Sequence, residues 1–148
     1  MRSFQLGVVM PLAQFGPERT TARWTEISGG RFIFGLGAGH VWPGQAHAFG
    51  LPEDKIFARF DEALEIIMPL LRTGHADFEG SWHAARDLPQ QPVGPRPGSI
   101  PLLIGGNGPK GQRHAVRHAD IWSGYVEERA HPDEVGPLIG SLEAICAE

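Results

Sequence analysis

Apolar residues recur every three or four positions in the middle of the chain, which is the spacing of an amphipathic helix. This helix is predicted to begin near Ile56 and to end at Thr73-Gly74. Its apolar face consists of Ile56, Phe60, Ala63, Leu64, Ile67, Leu70 and Leu71. A second helix is predicted from Pro109 to about Ala119, because proline suits the first helical position. A third is predicted from Pro132 to Ala147, with an apolar face of Val135, Leu138, Ile139, Leu142 and Ile145.

Short apolar runs bounded by glycine or proline predict buried strands. The four runs are Phe4–Met10, Arg31–Leu36, Ile100–Ile104 and Asp120–Tyr125. A brief helical piece is expected at about 18–27, two short extended pieces around a turn at 77–82, and an irregular linker at 89–98. Strands that are apolar throughout and separated by helices predict an α/β fold with a parallel sheet covered on both faces. At this level a doubly wound sheet and a barrel both remain open.

Glycine-rich segments follow two of these strands, where parallel α/β folds bind their ligands. The segment Gly105-Gly106-Asn107-Gly108-Pro109-Lys110-Gly111 leads into a helix. Its backbone N–H groups, the helix dipole and Lys110 predict a phosphate site, and a tight turn with a solvated lysine is the alternative. The other segment, Gly35–Gly39, is followed by His40 and Trp42, which suit a pocket for a ring or ordinary loop packing.

Several other kinds of site are disfavoured. The two glycine segments match neither the dinucleotide-binding fingerprint nor the P-loop, and no G-x-S-x-G hydrolase motif occurs. His114 and His118 stand one helical turn apart without a third ligand, so we interpret them as surface histidines and predict no metal site. Arg113 and Arg117 suit either a phosphate or a solvated helix face.

Composition narrows the class of protein further. Of 148 residues, 41% are hydrophobic and 20% charged, which is typical of a globular domain. A net charge of -4 without a basic stripe argues against nucleic acid as a partner. The chain has one cysteine, Cys146, and no apolar run long enough to cross a membrane, nor a cleavable signal peptide. A soluble, cytoplasmic protein is therefore expected.

Taken together, several segments resemble the luciferase-like monooxygenase family, which includes flavin- and deazaflavin-dependent oxidoreductases. In order, the segments are Ile27–Gly39, Ala48–Pro52, Arg59–Ile67, Asp77–Gly80, Pro101–Lys110 and His118–Trp122. The resemblance implies a TIM-like (β/α) barrel, which usually needs about 250 residues. We therefore expect a single domain over residues 1–148 that forms a partial or truncated barrel, lacking the second and third βα units and the C-terminal units.

The resemblance also implies a function: an oxidoreductase or monooxygenase that uses coenzyme F420, a deazaflavin, or FMN on a small-molecule substrate. The alternative is a non-catalytic barrel remnant that binds a cofactor or dimerises. In either case we expect a homodimer, since a partial barrel leaves apolar surface exposed. No catalytic residue is assigned. The implied cofactor-binding residues are Gly37, Ala38, Gly39, His40, Gly105, Gly106, Asn107, Gly108, Lys110 and Trp122.

Overall fold

The computed structural model describes residues 24–39, 47, 48, 50, 52–91, 97–126 and 131–148. Over these residues the chain divides into two compact units, one with 33–37 and 101–148, the other with 24–32 and 38–100. The elements in chain order are β1 (Phe34–Leu36), α1 (Ile56–Thr73), β2 (His75–Glu79), β3 (Ala84–Pro89), β4 (Leu102–Gly105), α2 (Pro109–His118), β5 (Ile121–Ser123) and α3 (Pro132–Cys146).

The first unit is built on a parallel sheet with the strand order β1-β4-β5. Phe34 lies opposite Leu102 and Leu36 opposite Ile104 in the β1–β4 pair. Leu102 and Ile104 are completely buried. Burial of each such side chain stabilises the fold by about 1.5–3 kcal/mol, so the central strand carries much of this unit's core. The prediction of an α/β fold with parallel strands is confirmed.

Polar contacts attach the helices of the first unit. The side chain of Gln112 on α2 is fully buried, and its Nε2 donates to the Leu138 carbonyl oxygen on α3 at 2.8 Å. Its Oε1 accepts from Ser141 Oγ at 2.6 Å. A buried amide left without such partners would cost about 1–3 kcal/mol. Gln112 therefore fixes where α3 packs against α2.

Asp120 aligns the beginnings of β4 and β5. Its Oδ2 accepts from the Leu102 N–H, and its own N–H donates to the Leu102 carbonyl oxygen, both at 2.9 Å. Because the two strands start level, their carboxyl ends also finish level. This places the loops that follow them side by side.

The second unit is built around α1, whose buried face consists of Phe60, Leu64, Ile67, Leu70 and Leu71. The helix ends at Gly74, which has a φ of +80° and donates its N–H to the carbonyl oxygens of Leu70 and Pro69. Glycine reaches this left-handed conformation without the cost of a Cβ. The chain then turns directly into the antiparallel pair β2–β3, in which Ala76 and Ala85 pack with Leu70.

Glu62 on α1 holds the turn between β2 and β3. Its carboxylate accepts from three consecutive backbone N–H groups, those of Ser81 (2.7 Å), Trp82 (2.8 Å) and His83 (3.0 Å). Removal from water raises the pKa of Glu62, but these hydrogen bonds, together with the charge of His83, outweigh that effect and lower it. A Cβ on Gly80 would overlap the Glu62 carboxylate and the Phe78 ring, so a larger residue there would displace these side chains.

The helices agree with the sequence prediction to within about two residues, whereas the strands of the parallel sheet are shorter than predicted. The two extended pieces predicted at 77–82 are instead the longer strands β2 and β3, with the turn between them at 80–83. Residues 31–33 precede β1 without being part of a strand, and β5 contains only three of the six residues predicted. The strand predicted at Phe4–Met10 and most of the helical piece predicted at 18–27 lie outside the described residues; residues 24–27 are helical. No helix in the described part of the chain is long and apolar enough to span a membrane.

Candidate functional site

The turn after β4 brings the beginning of α2 against the end of the strand. Gly106 has a φ of +153°, and a Cβ there would lie 3.2 Å from the Gly111 Cα. Conversely, a Cβ on Gly111 would lie 3.1 Å from the Gly106 Cα. At either separation the facing backbone would have to shift by a few tenths of an ångström to admit a side chain. The two glycines therefore let the backbone of the first helical turn pack directly on the backbone of the loop.

The N-terminus of α2 has the features of an anion site. Gly108 is the N-cap residue, no side chain caps the helix, Pro109 occupies its first turn, and that turn contains no acidic residue. A Cβ built on Gly108 would meet no atom within 4 Å, so the space beside the cap is open. Lys110 lies exposed in the same turn. The N–H groups and positive dipole end of a helix favour a negatively charged ligand at such a position.

The loop after β5 is joined to this turn by side-chain hydrogen bonds. Trp122 Nε1 donates to the Gly106 carbonyl oxygen at 2.9 Å, and the Gly106 N–H donates to the Ser123 carbonyl oxygen at 3.0 Å. Asn107 bonds to the backbone of Tyr125 through both of its side-chain polar atoms. A Cβ on Gly124 would lie 2.7 Å from the Trp122 ring. Together these contacts fix two neighbouring loops at the carboxyl end of the sheet.

The structure brings most of the sequence-predicted site residues of the first unit together. Gly105, Gly106, Asn107, Gly108, Lys110 and Trp122 all belong to these two loops and the strand ends next to them. At the end of β1, the Cβ position of Gly37 is 4.0 Å from the Gly105 carbonyl oxygen. Ala38 and Gly39 belong to the second unit, and His40 lies outside the described residues.

The individual roles of Gly111 and Gly124 were not predicted from the sequence, although Gly111 lies in the segment predicted to bind a phosphate. A Cβ on Gly111 would crowd the backbone of Gly106, five positions earlier, and a Cβ on Gly124 would overlap the Trp122 ring, which folds back over it. Glu62 lies in Arg59–Ile67, one of the segments that resemble the family, but no role was predicted for it. In the structure its carboxylate accepts hydrogen bonds from the backbone of the turn between β2 and β3. A carboxylate facing a glycine-containing turn has no signature in the local sequence.

The interpretation of His114 as a surface residue is wrong. Its side chain is on the buried face of α2 and only 8% of the residue is exposed. Arg113 is directed toward Glu148, with 3.6 Å between guanidinium and carboxylate. Among the described residues, no group of three histidine, cysteine or acidic side chains could hold a metal ion.

A model of the luciferase-like monooxygenase family matches residues 19–145. The chain belongs to this family. It is 33% identical over 116 residues to an uncharacterized protein of Mycobacterium tuberculosis strain H37Rv, a match that covers 77% of the chain and 38% of that protein. It is also 33% identical over 112 residues to a 5,10-methylenetetrahydromethanopterin reductase of Archaeoglobus fulgidus, with 74% of the chain and 30% of that protein covered.

Solved structures of luciferase-like proteins share the fold. The coenzyme F420 dependent tetrahydromethanopterin reductase of Methanopyrus kandleri superimposes with a TM-score of 0.72 at 20% identity, covering 92% of this chain and 43% of that one. A monooxygenase from Streptomyces bottropensis gives 0.69 at 21% identity, with 90% and 41% covered. The chain thus has the fold of part of a luciferase-like barrel and spans less than half the length of these relatives. Its described strands do not close into a barrel.

Proposed function

We propose that this chain is an oxidoreductase of the luciferase-like family that binds a flavin or deazaflavin cofactor. The phosphate of the cofactor would lie at the turn from Gly105 to Gly108, next to Lys110. The open N-terminus of α2 carries this proposal, since it combines a helix dipole, an uncapped first turn and a nearby ammonium group. These groups suit a phosphate, which both FMN and coenzyme F420 contain.

The remaining proposed contacts rest on the family resemblance. Gly37 directly follows β1 beside Gly105, where backbone without side chains leaves room for a ligand. The resemblance also implies cofactor contacts at Ala38, Gly39 and His40. Asn107 and Trp122 already bond within the loops, so we assign them to shaping the site.

We favour coenzyme F420 over FMN. Both relatives named as reductases of methanopterin substrates support this preference, and one of them is named as dependent on that coenzyme. The cofactor would supply hydride or oxygen chemistry from its reduced ring, while the chain binds it and orients it toward a small-molecule substrate.

An alternative proposal is a cofactor-binding protein without catalytic activity. It is supported by the described strands β1, β4 and β5, which form an open three-stranded sheet and not a closed barrel. The two proposals predict different rates of consumption of the bound reduced cofactor when a substrate is added. If the bound reduced cofactor is consumed no faster with any member of a panel of small aldehydes, imines and activated alkenes, the non-catalytic role is favoured.

Reversing the charge of Lys110 tests the phosphate site. We expect Lys110→Glu to raise the Kd for coenzyme F420 and FMN by about 10- to 100-fold, the equivalent of losing one charge-assisted hydrogen bond. Binding would be measured by titration, following cofactor fluorescence. The other lysine of the chain, Lys55, is exposed in the second unit, which makes Lys55→Glu a control with the same change in net charge.

The comparison of the two variants separates a local effect from a general one. If both variants weaken cofactor binding equally, the effect comes from the change in net charge and not from the position of Lys110. If Lys110→Glu binds the cofactor as tightly as the unaltered protein, Lys110 is not part of the site. If the unaltered protein binds neither cofactor, the proposed function itself is wrong.

A further inference from the structure

The loop after β5 presents one aromatic ring to solvent at the carboxyl end of the sheet. Tyr125 is the single tyrosine of the chain, and 72% of it is exposed. The next most exposed aromatic residues in the described part of the chain, Trp82 and Phe57, are 37% and 36% exposed. Trp82 is also covered by the Arg59 guanidinium, 5.3 Å from its ring centroid. Tyr125 is therefore exceptional in leaving most of an aromatic ring in water.

The backbone of this exposed residue is held firmly. Asn107 Oδ1 accepts from the Tyr125 N–H at 2.8 Å, and Asn107 Nδ2 donates to the Tyr125 carbonyl oxygen. The preceding residue, Gly124, packs so closely on the Trp122 ring that a Cβ there would displace the ring. Trp122 in turn is bonded to Gly106. Each contact limits how far the backbone at Tyr125 can move relative to the glycine turn.

The hydrogen bonds of Asn107 connect the backbone of Tyr125 to the proposed phosphate site. Asn107 lies between Gly106 and Gly108, so the residue that holds Tyr125 belongs to the same turn that leads into the open end of α2. Because the backbone is already held, binding has to order only the side-chain torsions of Tyr125, which reduces the entropic cost of the contact. Tyrosine also offers a flat apolar face, and offset stacking of aromatic rings contributes about 0.5–1.5 kcal/mol beyond the area buried.

We propose that Tyr125 stacks on the planar ring of the cofactor whose phosphate is held at Gly105–Gly108, and that Asn107 is the positioning residue for this contact. The inference rests on the proposed function, because it takes the ligand to be a flavin or deazaflavin. It goes beyond the proposed function because it names a side chain that contacts the cofactor ring. The glycine turn and Lys110 contact only the phosphate in that proposal.

A single tyrosine permits a direct spectroscopic test. Incorporation of 3-fluorotyrosine gives one ¹⁹F resonance, which belongs to residue 125. We expect FMN or coenzyme F420 to shift this resonance, because the ring current of a stacked heteroaromatic acts on the fluorine, and inorganic phosphate to shift it far less. Cofactor fluorescence in the same samples reports binding independently.

The outcomes distinguish this inference from the proposed function. Saturable binding with a matching ¹⁹F shift supports both. Binding with a resonance that moves no more than it does with inorganic phosphate overturns the tyrosine contact and leaves the proposed function standing. Absence of cofactor binding overturns both.

Variants provide a second readout. Tyr125→Ala should raise the Kd by about three- to tenfold, whereas Tyr125→Phe, which keeps the ring, should stay within about twofold of the unaltered protein. Val126→Ala changes an exposed neighbour and is the control. Asn107→Ala should weaken binding and broaden the ¹⁹F resonance by freeing the loop. If Tyr125→Ala binds as well as Tyr125→Phe, the ring has no part in the site.

Discussion

The carboxylate of Glu62 accepts three backbone hydrogen bonds, and this makes the second unit depend on one ionised side chain. Glu62→Gln should lower the Tm, because a side-chain amide has only one acceptor oxygen and its NH2 group would face a backbone N–H. Glu65→Gln, on an exposed position of the same helix, should leave the Tm unchanged. Equal effects of the two substitutions would show that the contacts at the turn do not matter.

The pH dependence of this contact follows from the direction of the shift in pKa. Folding lowers the pKa of Glu62 from its ordinary value of 4.5, so its contribution to stability is fully present above that value. The contribution is lost as the pH falls through the lowered, folded-state pKa. We expect the gap in Tm between the unaltered protein and Glu62→Gln to be constant at neutral pH and to narrow in acid. A gap that does not change with pH would contradict this assignment.

At the scale of elements, the turn between β4 and α2 makes different demands on two glycines that lie two positions apart. Gly106→Ala introduces a Cβ against the backbone of Gly111 and places alanine at a φ of +153°, which should cost about 1–3 kcal/mol. Gly108 has an ordinary φ of -81° and open space beside it, so Gly108→Ala should cost less than about 1 kcal/mol through a poorer N-cap.

Measured together, stability and cofactor affinity separate the roles of these two positions. Chemical denaturation should rank Gly106→Ala as the less stable variant. Gly108→Ala should nevertheless weaken cofactor binding, since its methyl group fills the space proposed for the phosphate. Retention of full affinity by Gly108→Ala would move the phosphate away from the N-cap.

Helices were predicted from the sequence more accurately than strands, and the reason is physical. The bounds of α1 depend on a local repeat of apolar residues and on Gly74, all of which are visible in the sequence. A strand extends only as far as a partner pairs with it, so the apolar run from Arg31 is a strand only opposite β4. The strand β3, Ala84–Pro89, has little apolar alternation, and its pairing depends on a partner and a turn that α1 supports.

The candidate site was predictable in part. Glycines next to Lys110 at the start of a helix predict an anion site from local sequence. The exposure of Tyr125 and its bonds to Asn107 depend on two loops meeting in space, 18 positions apart in the chain, and no local pattern indicates them. The same holds for Gly111, whose need for glycine arises from the backbone of Gly106.

At the scale of the whole molecule, we expect self-association. Among the described residues of the first unit, five apolar side chains are each 37–43% exposed: Val116, Ile121, Val126, Val135 and Ile139. Exposed apolar surface of this kind favours association. Sedimentation velocity should give twice the 16.1 kDa mass of the chain. Even a weak dimer, with a Kd of about micromolar, would form at tens of micromolar protein. A chain that stays monomeric at that concentration would contradict the expectation.

The buried amide of Gln112 has a consequence for how the first unit can move. An apolar contact between helices would tolerate sliding, because one methyl group replaces another at little cost. Gln112 instead requires one particular carbonyl oxygen and one particular hydroxyl on α3. Any displacement of α3 along its axis breaks both bonds and leaves a buried amide unpaired, so sliding away from this position is penalised.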